Sequence, residues 1–183
     1  MTLVGETIGR GARLAIDLGA VRVGVAASDP DGILATPVET VARDLSPAAG
    51  DVGRVAAIVA ERDVAVVYLG LPTHLSGAEG SASAAVRTYG EMLARAVAPV
   101  PVRLVDERMS TVSAHRSLHA AGRPGRRHRE VVDQAAAVVI LQAALDGERS
   151  SGRRWGVQIA PESDTDGLGL QDRGGATDRE SSE

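Results

Sequence analysis

Three acidic sites stand where a core-building chain has little reason to put them. Asp17 interrupts the apolar run "LAIDLGAVRVGVA", Leu14 to Ala26, with Gly19 and Gly24 close behind it. Asp106 and Glu107 close a second apolar run after Leu104 and Val105. Asp133 lies in "EVVDQAAAVVILQAAL", and steps of three and four from it reach Ala136, Ala137, Ile140, Leu141 and Ala144. That spacing puts Asp133 on the apolar stripe of a helix, near its start and facing a sheet. Burying a lone carboxylate costs several kcal/mol. Gathered carboxylates repel one another and resist ionisation unless a cation joins them, and the chain has no lysine to neutralise them. Hard divalent cations take oxygen ligands, and Mg²⁺ commonly combines few carboxylates with waters and substrate phosphates. Two such ions roughly 3.5–4 Å apart can activate water and stabilise the leaving oxygen in phosphodiester cleavage. A Mg²⁺ or Mn²⁺ site is the chemistry this set could do.

Each acid also has a plainer reading. Asp17 can be a turn residue bonding the backbone near Gly19. Asp106 and Glu107 can pair with Arg108 or cap the next helix, and Asp133 can complement a helix dipole. Strand alternation sends Asp106 and Glu107 to opposite faces, so only one points inward, and spacing alone does not say which. Taken together the plainer readings fit less easily, because three separate elements each bring an acid towards a sheet.

The elements that must position these acids follow from periodicity. Residues 1–12 hold three glycines without a clear period and read as a flexible leader. Arg13 to Leu18 and Val21 to Ser28 are β-rich runs at hairpin spacing. Ile33 to Val41 is a weaker third strand, broken at Pro37. Pro47 to Asp63 has helical spacing, Ala65 to Gly70 reads as a buried strand, and "LPTHLSGAEG" as a loop. Ser81 to Ala98 is helical and Pro101 to Glu107 is the fifth strand. A short helix spans Ser110 to Ala121, a basic loop Gly122 to Arg129, and an apolar helix Glu130 to Leu145. After Trp155 the composition turns to Gly, Ser, Asp and Glu, the pattern of disorder. The expected architecture is α/β: a mixed five-stranded sheet, three antiparallel strands then two parallel ones, flanked by helices. The domain is expected over 13–148, with a disordered acidic tail over 149–183.

The strand pair "DLGAVRVGVA" resembles the opening DxGxxRxGvA motif of the YqgF/RuvX family, part of the ribonuclease H-like superfamily and related to the Holliday-junction resolvase RuvC. "LGLP" (Leu69 to Pro72), "DERMSTVSAHRSL" (Asp106 to Leu118) and "VDQAAAVVILQ" (Val132 to Gln142) are similar to its later signatures, in the same order. The resemblance covers roughly residues 13–146. It implies a ribonuclease H-like fold, Asp17, Glu107 and Asp133 as a metal-binding catalytic triad, and Asp106 as a neighbour that orients it. It also implies a nuclease acting in 5′-end maturation of precursor 16S rRNA, or on branched DNA at Holliday junctions. Two departures touch the loops only: Ala20 stands where the family often has a hydroxyl residue, and "THLSG" where it often has Asn and Asp.

A phosphodiester substrate needs cations beside the acids. Arg123, Arg126, Arg127 and Arg129 surround His128 just before the Asp133 helix, Arg108 follows Glu107, Arg116 lies on the intervening helix, and Arg22 belongs to the first motif. Arginine suits bidentate phosphate contacts, although a solvated basic loop is the plainer reading. The formal charge of −4 is misleading: residues 156–183 hold seven acids against two arginines, leaving seventeen acids and eighteen arginines over 1–155. The absence of cysteine excludes disulfides, thiolate zinc sites and thiol nucleophiles. Only Tyr68, Tyr89 and Trp155 are aromatic, so recognition is expected through backbone and shape rather than base stacking. His74, His115, His119 and His128 form no metal-ligand spacing. Without a membrane-length span or signal pattern, a cytoplasmic location is expected.

Two other classes compete. Actin-like ATPases and sugar kinases also begin their first phosphate loop with Asp-x-Gly in a hairpin, but need two such domains. A non-catalytic nucleic-acid-binding module would be favoured by loss of a triad acid, and all three are present.

Overall fold

The computed structural model describes residues 8–72, 80–106 and 126–160, with the backbone alone over 126–133. Its elements are β1 (Ala12–Leu18), β2 (Arg22–Ser28), β3 (Ala35–Ala42), α1 (Gly50–Glu61), β4 (Val64–Leu71), α2 (Ser81–Ala96), β5 (Val102–Asp106), α3 (Arg126–Ser151) and β6 (Val157–Gln158). One sheet runs in the order β3-β2-β1-β4-β5-β6. β1, β2 and β3 are antiparallel neighbours, β4 and β5 are added in parallel, and β6 closes the far edge antiparallel to β5. The helix expected over Ser110 to Ala121 and the loop from Thr73 to Glu79 lie outside the described residues.

Period-two alternation divides the sheet into two faces. Leu14 and Ile16 of β1, Val23 and Val25 of β2, and Leu69 of β4 meet Val55, Ile58, Tyr89 and Leu93 of α1 and α2. Ala15, Ala26, Val66, Tyr68 and Val105 meet Ala137, Ile140, Leu141, Ala144 and Leu145 of α3. Both faces are covered, which is why β1 and β4 read as nearly continuous apolar runs. Fully burying each Leu or Ile on the α3 stripe contributes about 1.5–3 kcal/mol, and the alanines between them let the helix approach the sheet. α1 takes its start from Asp44, whose carboxylate accepts from Gly50 N at 2.8 Å and Ser46 N at 2.9 Å.

Pro37 does not break the third strand. β3 is the sheet's other edge, where a missing amide donor is tolerated. Its register slips between Val25–Glu39 and Ala26–Pro37, leaving Val38 as an extra residue.

Two expectations need correction. The sheet has six strands, and order continues past Trp155. The described residues of the two flanks also contact the domain and each other: Gly11 N donates to Pro30 O at 2.9 Å, and Arg154 donates to Gly9 O at 3.2 Å. β6 is too short to show a period, and contacts distant in sequence hold it. Arg103 donates to Trp155 O at 2.6 Å and Gly156 O at 2.8 Å, and Ile159 N donates to Val102 O at 2.9 Å. Glycines supply the seats. A Cβ at Gly147 would lie 2.6 and 2.8 Å from Cε3 and Cε2 of Trp155, and one at Gly90 would overlap Ile159.

Gly147→Val is therefore expected to cost about 1–3 kcal/mol through overpacking. The check is a lower urea midpoint. Trp155 is the sole tryptophan, so a red shift of native-state emission would report its displacement from α3.

Candidate metal centre

Asp17 is the penultimate residue of β1 and is 5% exposed. Its neighbours Ile16 and Leu18 pack towards α1 and α2. Arg13 and Ala15, which share its parity, face α3 through Glu148 and the second core. Asp17 therefore projects from the α3 face, at the C-terminal end of its strand. Gly24 is its partner across the β1–β2 ladder. On the other side Ile16 pairs with Leu69, so one step further Asp17 reaches the level of Gly70, which itself pairs with Val105. Directly paired residues share a face, so the carboxylate rises from a floor with no side chain on either adjoining strand. Gly24 thus stands directly across the ladder from Asp17.

The hairpin after Asp17 is tight: Gly19 N donates to Arg22 O at 2.8 Å, and a Cβ on Gly19 would stand 2.8 Å from that same oxygen. Arg22 opens β2 two residues before Gly24, on the same face as Asp17 and diagonal to it. Those two expected site residues are brought together. Asp106 is not: Val102 and Leu104 belong to the α1/α2 core, and alternation carries Asp106 to that face.

Glu107, Arg108, Arg116 and Arg123 lie outside the described residues. Arg126, Arg127, Arg129 and Asp133 lie in α3, where the backbone alone is described. Among the described residues no three acidic or histidine side chains gather, and two of the three expected ligands are not among the described side chains. The helix start is a correction: residues 126–129 are helical, not loop. After Pro124 and Gly125 the run "RRHRE" contains no breaker, and arginine is a good helix former.

Thr40 is a polar residue the sequence reading missed. It pairs with Gly24 in the β2–β3 ladder and is half-buried. A threonine in an edge strand reads as ordinary β-propensity, and only the register shows it in line with Asp17.

A family model for RuvX, described as Holliday junction resolvase, matches residues 11–147. The chain belongs to the RuvX family. A relative from Streptomyces coelicolor, named "Putative pre-16S rRNA nuclease", is 55% identical over 149 residues, covering 81% of this chain and 88% of its own length. One of the same name from a Nocardioides species is 56% identical over 147 residues, covering 78% and 92%. Among solved structures, Thermus thermophilus RuvC in complex with a Holliday junction substrate aligns at a TM-score of 0.50 and 16% identity, covering 79% of this chain and 99% of that one. That likeness shows a shared ribonuclease H-like fold. The expected fold class holds, with one strand more. The RuvX match ends at 147, so Glu148, Trp155 and β6 lie beyond it.

The donor set suits the implied metal. Asp17 is a carboxylate fixed by a central strand on a bare floor, and its expected partners are oxygen donors, as a hard divalent cation requires.

Proposed function

We propose that this RuvX protein is a divalent-metal-dependent nuclease that hydrolyses phosphodiester bonds, with the 5′ end of precursor 16S rRNA as its substrate. The observation that supports this most is the setting of Asp17: an acid at the C-terminal end of a central strand, between glycine floors, on the face covered by the helix carrying Asp133. Alternation supports Glu107 over Asp106 as the second ligand, because Asp106 follows Leu104 onto the opposite face. Asp17, Glu107 and Asp133 hold the metal, and Asp106 is not among its ligands. Mg²⁺ or Mn²⁺ bound there would activate water and stabilise the charge of the displaced oxygen.

The chain's own residues do the rest. β1 and its two ladders fix Asp17, and Arg22 stands beside it to hold a phosphodiester. Arg126, Arg127 and Arg129 open α3, where positive charge opposes the helix dipole. Their placement costs helix stability and is explained by phosphate contact; Arg108, Arg116 and Arg123 are assigned to the same surface. No helix among the described residues is long and apolar enough to cross a membrane, and work on precursor rRNA belongs to the cytoplasm.

Branched DNA is the second reading, favoured by the ribonuclease H-like fold shared with a junction-bound RuvC. The purified protein should cleave a precursor 16S 5′-leader RNA in Mg²⁺ or Mn²⁺ and stop on addition of EDTA. Preferential cleavage of a four-way DNA junction would favour the second substrate. Metal binding without cleavage of either would sink the enzyme.

A further inference from the structure

The turn that leads from Asp17 to Arg22 is held from outside more than by packing of its own. Ala20 and Val21 at its tip are exposed, Val21 at 72%. One backbone bond, Gly19 N to Arg22 O, closes the turn. A second comes from the neighbouring strand: Arg43 N donates to Val21 O at 2.9 Å. That bond continues the β2–β3 ladder one step beyond the pair of Arg22 and Ala42. Arg43 is thus where the rest of the fold takes hold of the tip.

Its side chain is locked in turn. Val41 packs into the α1/α2 core, and Arg43, two residues on, points to the same layer. The guanidinium donates to Asp51, in the first turn of α1, at 2.6 Å. It also lies 4.9 Å from the centre of the Tyr89 ring on α2. The Asp51 side chain is fully buried and that of Arg43 is 14% exposed. The other carboxylate oxygen accepts from Val52 N at 2.9 Å. Tyr89 is buried and its hydroxyl has no hydrogen-bond partner among the described residues, so what it offers here is its face. A buried ion pair is often no more stabilising than well-packed apolar residues of similar volume. What this one supplies is direction: a planar guanidinium held at its edge by a carboxylate and across its face by a ring keeps one orientation.

We propose that Arg43, clamped between Asp51 and Tyr89, is a positioning residue that sets the β1–β2 turn so that Arg22 meets the phosphodiester at the metal site. Arg43 lies on the face away from Asp17 and acts through the turn. Arg22 opens β2 and directly follows the Val21 carbonyl that Arg43 holds. Asp17 is anchored further from the clamp, by its own pairing with Gly24 and by that of Ile16 with Leu69. Loosening Arg43 therefore weakens substrate capture more than the chemical step. This inference rests on the nuclease reading above, in which Arg22 holds the substrate.

The test uses the full-length protein, a 5′-leader RNA oligonucleotide and Mn²⁺, at a temperature where circular dichroism shows every variant folded. Arg43→Ala is expected to raise KM about 10-fold and to leave kcat within about twofold, the pattern of lost binding rather than lost chemistry. Arg22→Ala should raise KM at least as much. Adding Arg43→Ala to it should change KM little further, because both losses pass through one contact. Glu148→Gln controls for general loosening: it disturbs the other end of β1 and should keep the wild-type KM. If Arg43→Ala does not fold, because Asp51 is left buried without its cation, Arg43→Met combined with Asp51→Asn removes both charges and enters the same comparison. A wild-type KM, a fall confined to kcat, losses additive with Arg22→Ala, or an equal rise of KM in Glu148→Gln would each overturn the positioning role and leave the nuclease standing. No cleavage by the wild type would remove both.

Discussion

Replacing Asp17 by asparagine is expected to abolish metal-dependent cleavage, by on the order of 10³-fold or more, while the protein stays folded. The substitution is nearly isosteric, so the β1 ladders and the packing of Ala15 under α3 are untouched. What changes is one negative charge on a floor made of Gly24 and the level of Gly70. A divalent cation supplies several kcal/mol of transition-state stabilisation, and each 1.36 kcal/mol is tenfold in rate. An amide binds Mg²⁺ far more weakly than a carboxylate, so raising the metal concentration should recover little. Melting temperature should change little, because the amide keeps the shape of a side chain that is 5% exposed. Wild-type cleavage by Asp17→Asn would remove this residue from the site. A matched fall in activity and melting temperature would make it structural.

Asp17 was legible because an acid in an apolar strand violates the local pattern, and such violations gather at functional sites. The strands themselves were legible for the complementary reason: β1 and β4 are so uniformly aliphatic that only a sheet covered on both faces can hold them. Asp133 was placed on its helix by its spacing from Ala136, Ala137 and Ile140, all of which are buried or half-buried towards the sheet side as that spacing requires. Register was not legible. Nothing in "ATPVETVA" says that Val38 is an extra residue, so neither the parity of Thr40 nor the face of Glu39 could be read before the ladder was known. Asp106 against Glu107 is the same case: alternation separates the pair, but only the core partners of Leu104 say which face is which. β6 failed for another reason. Two residues have no period, and what holds them comes from Arg103 and Gly90, far away in sequence, and from Gly147 beneath Trp155. Glu148 carries a signal, three residues after Leu145 and four after Ala144 on the buried stripe, but it lies beyond the helix end expected at Leu145.

That glutamate carries the second large effect. Glu148→Gln is expected to destabilise the protein by about 3–5 kcal/mol, the usual consequence of breaking a buried ion pair from one side, and to lower the melting temperature by on the order of 10 °C. Glu148 accepts from Arg13 Nε at 3.1 Å and from Arg154 at 2.8 Å, and the Tyr68 hydroxyl donates to the same carboxylate. Burial first, and then this hydrogen bond, push the Tyr68 phenol above its ordinary range, so it stays a donor. Glutamine presents one oxygen and an NH₂ group to three donors, leaving two guanidinium charges buried without their counter-ion. Salt should do little to rescue or worsen the variant, because the arginine side chains are only 4% and 7% exposed. Replacing Arg13, Glu148 and Arg154 together by apolar residues should recover only part of the loss. Arg13 also donates to Gly11 O at 2.6 Å and Pro30 O at 3.1 Å, and these carbonyls would lose a donor. Activity per folded molecule should be unchanged at low temperature, since Arg13 and Asp17 are four strand residues, about 13 Å, apart. Unaltered stability in Glu148→Gln would mean that the carboxylate does not join leader, sheet and C-terminal strand. Lost activity at full stability would mean that this end of β1 reaches the metal site after all.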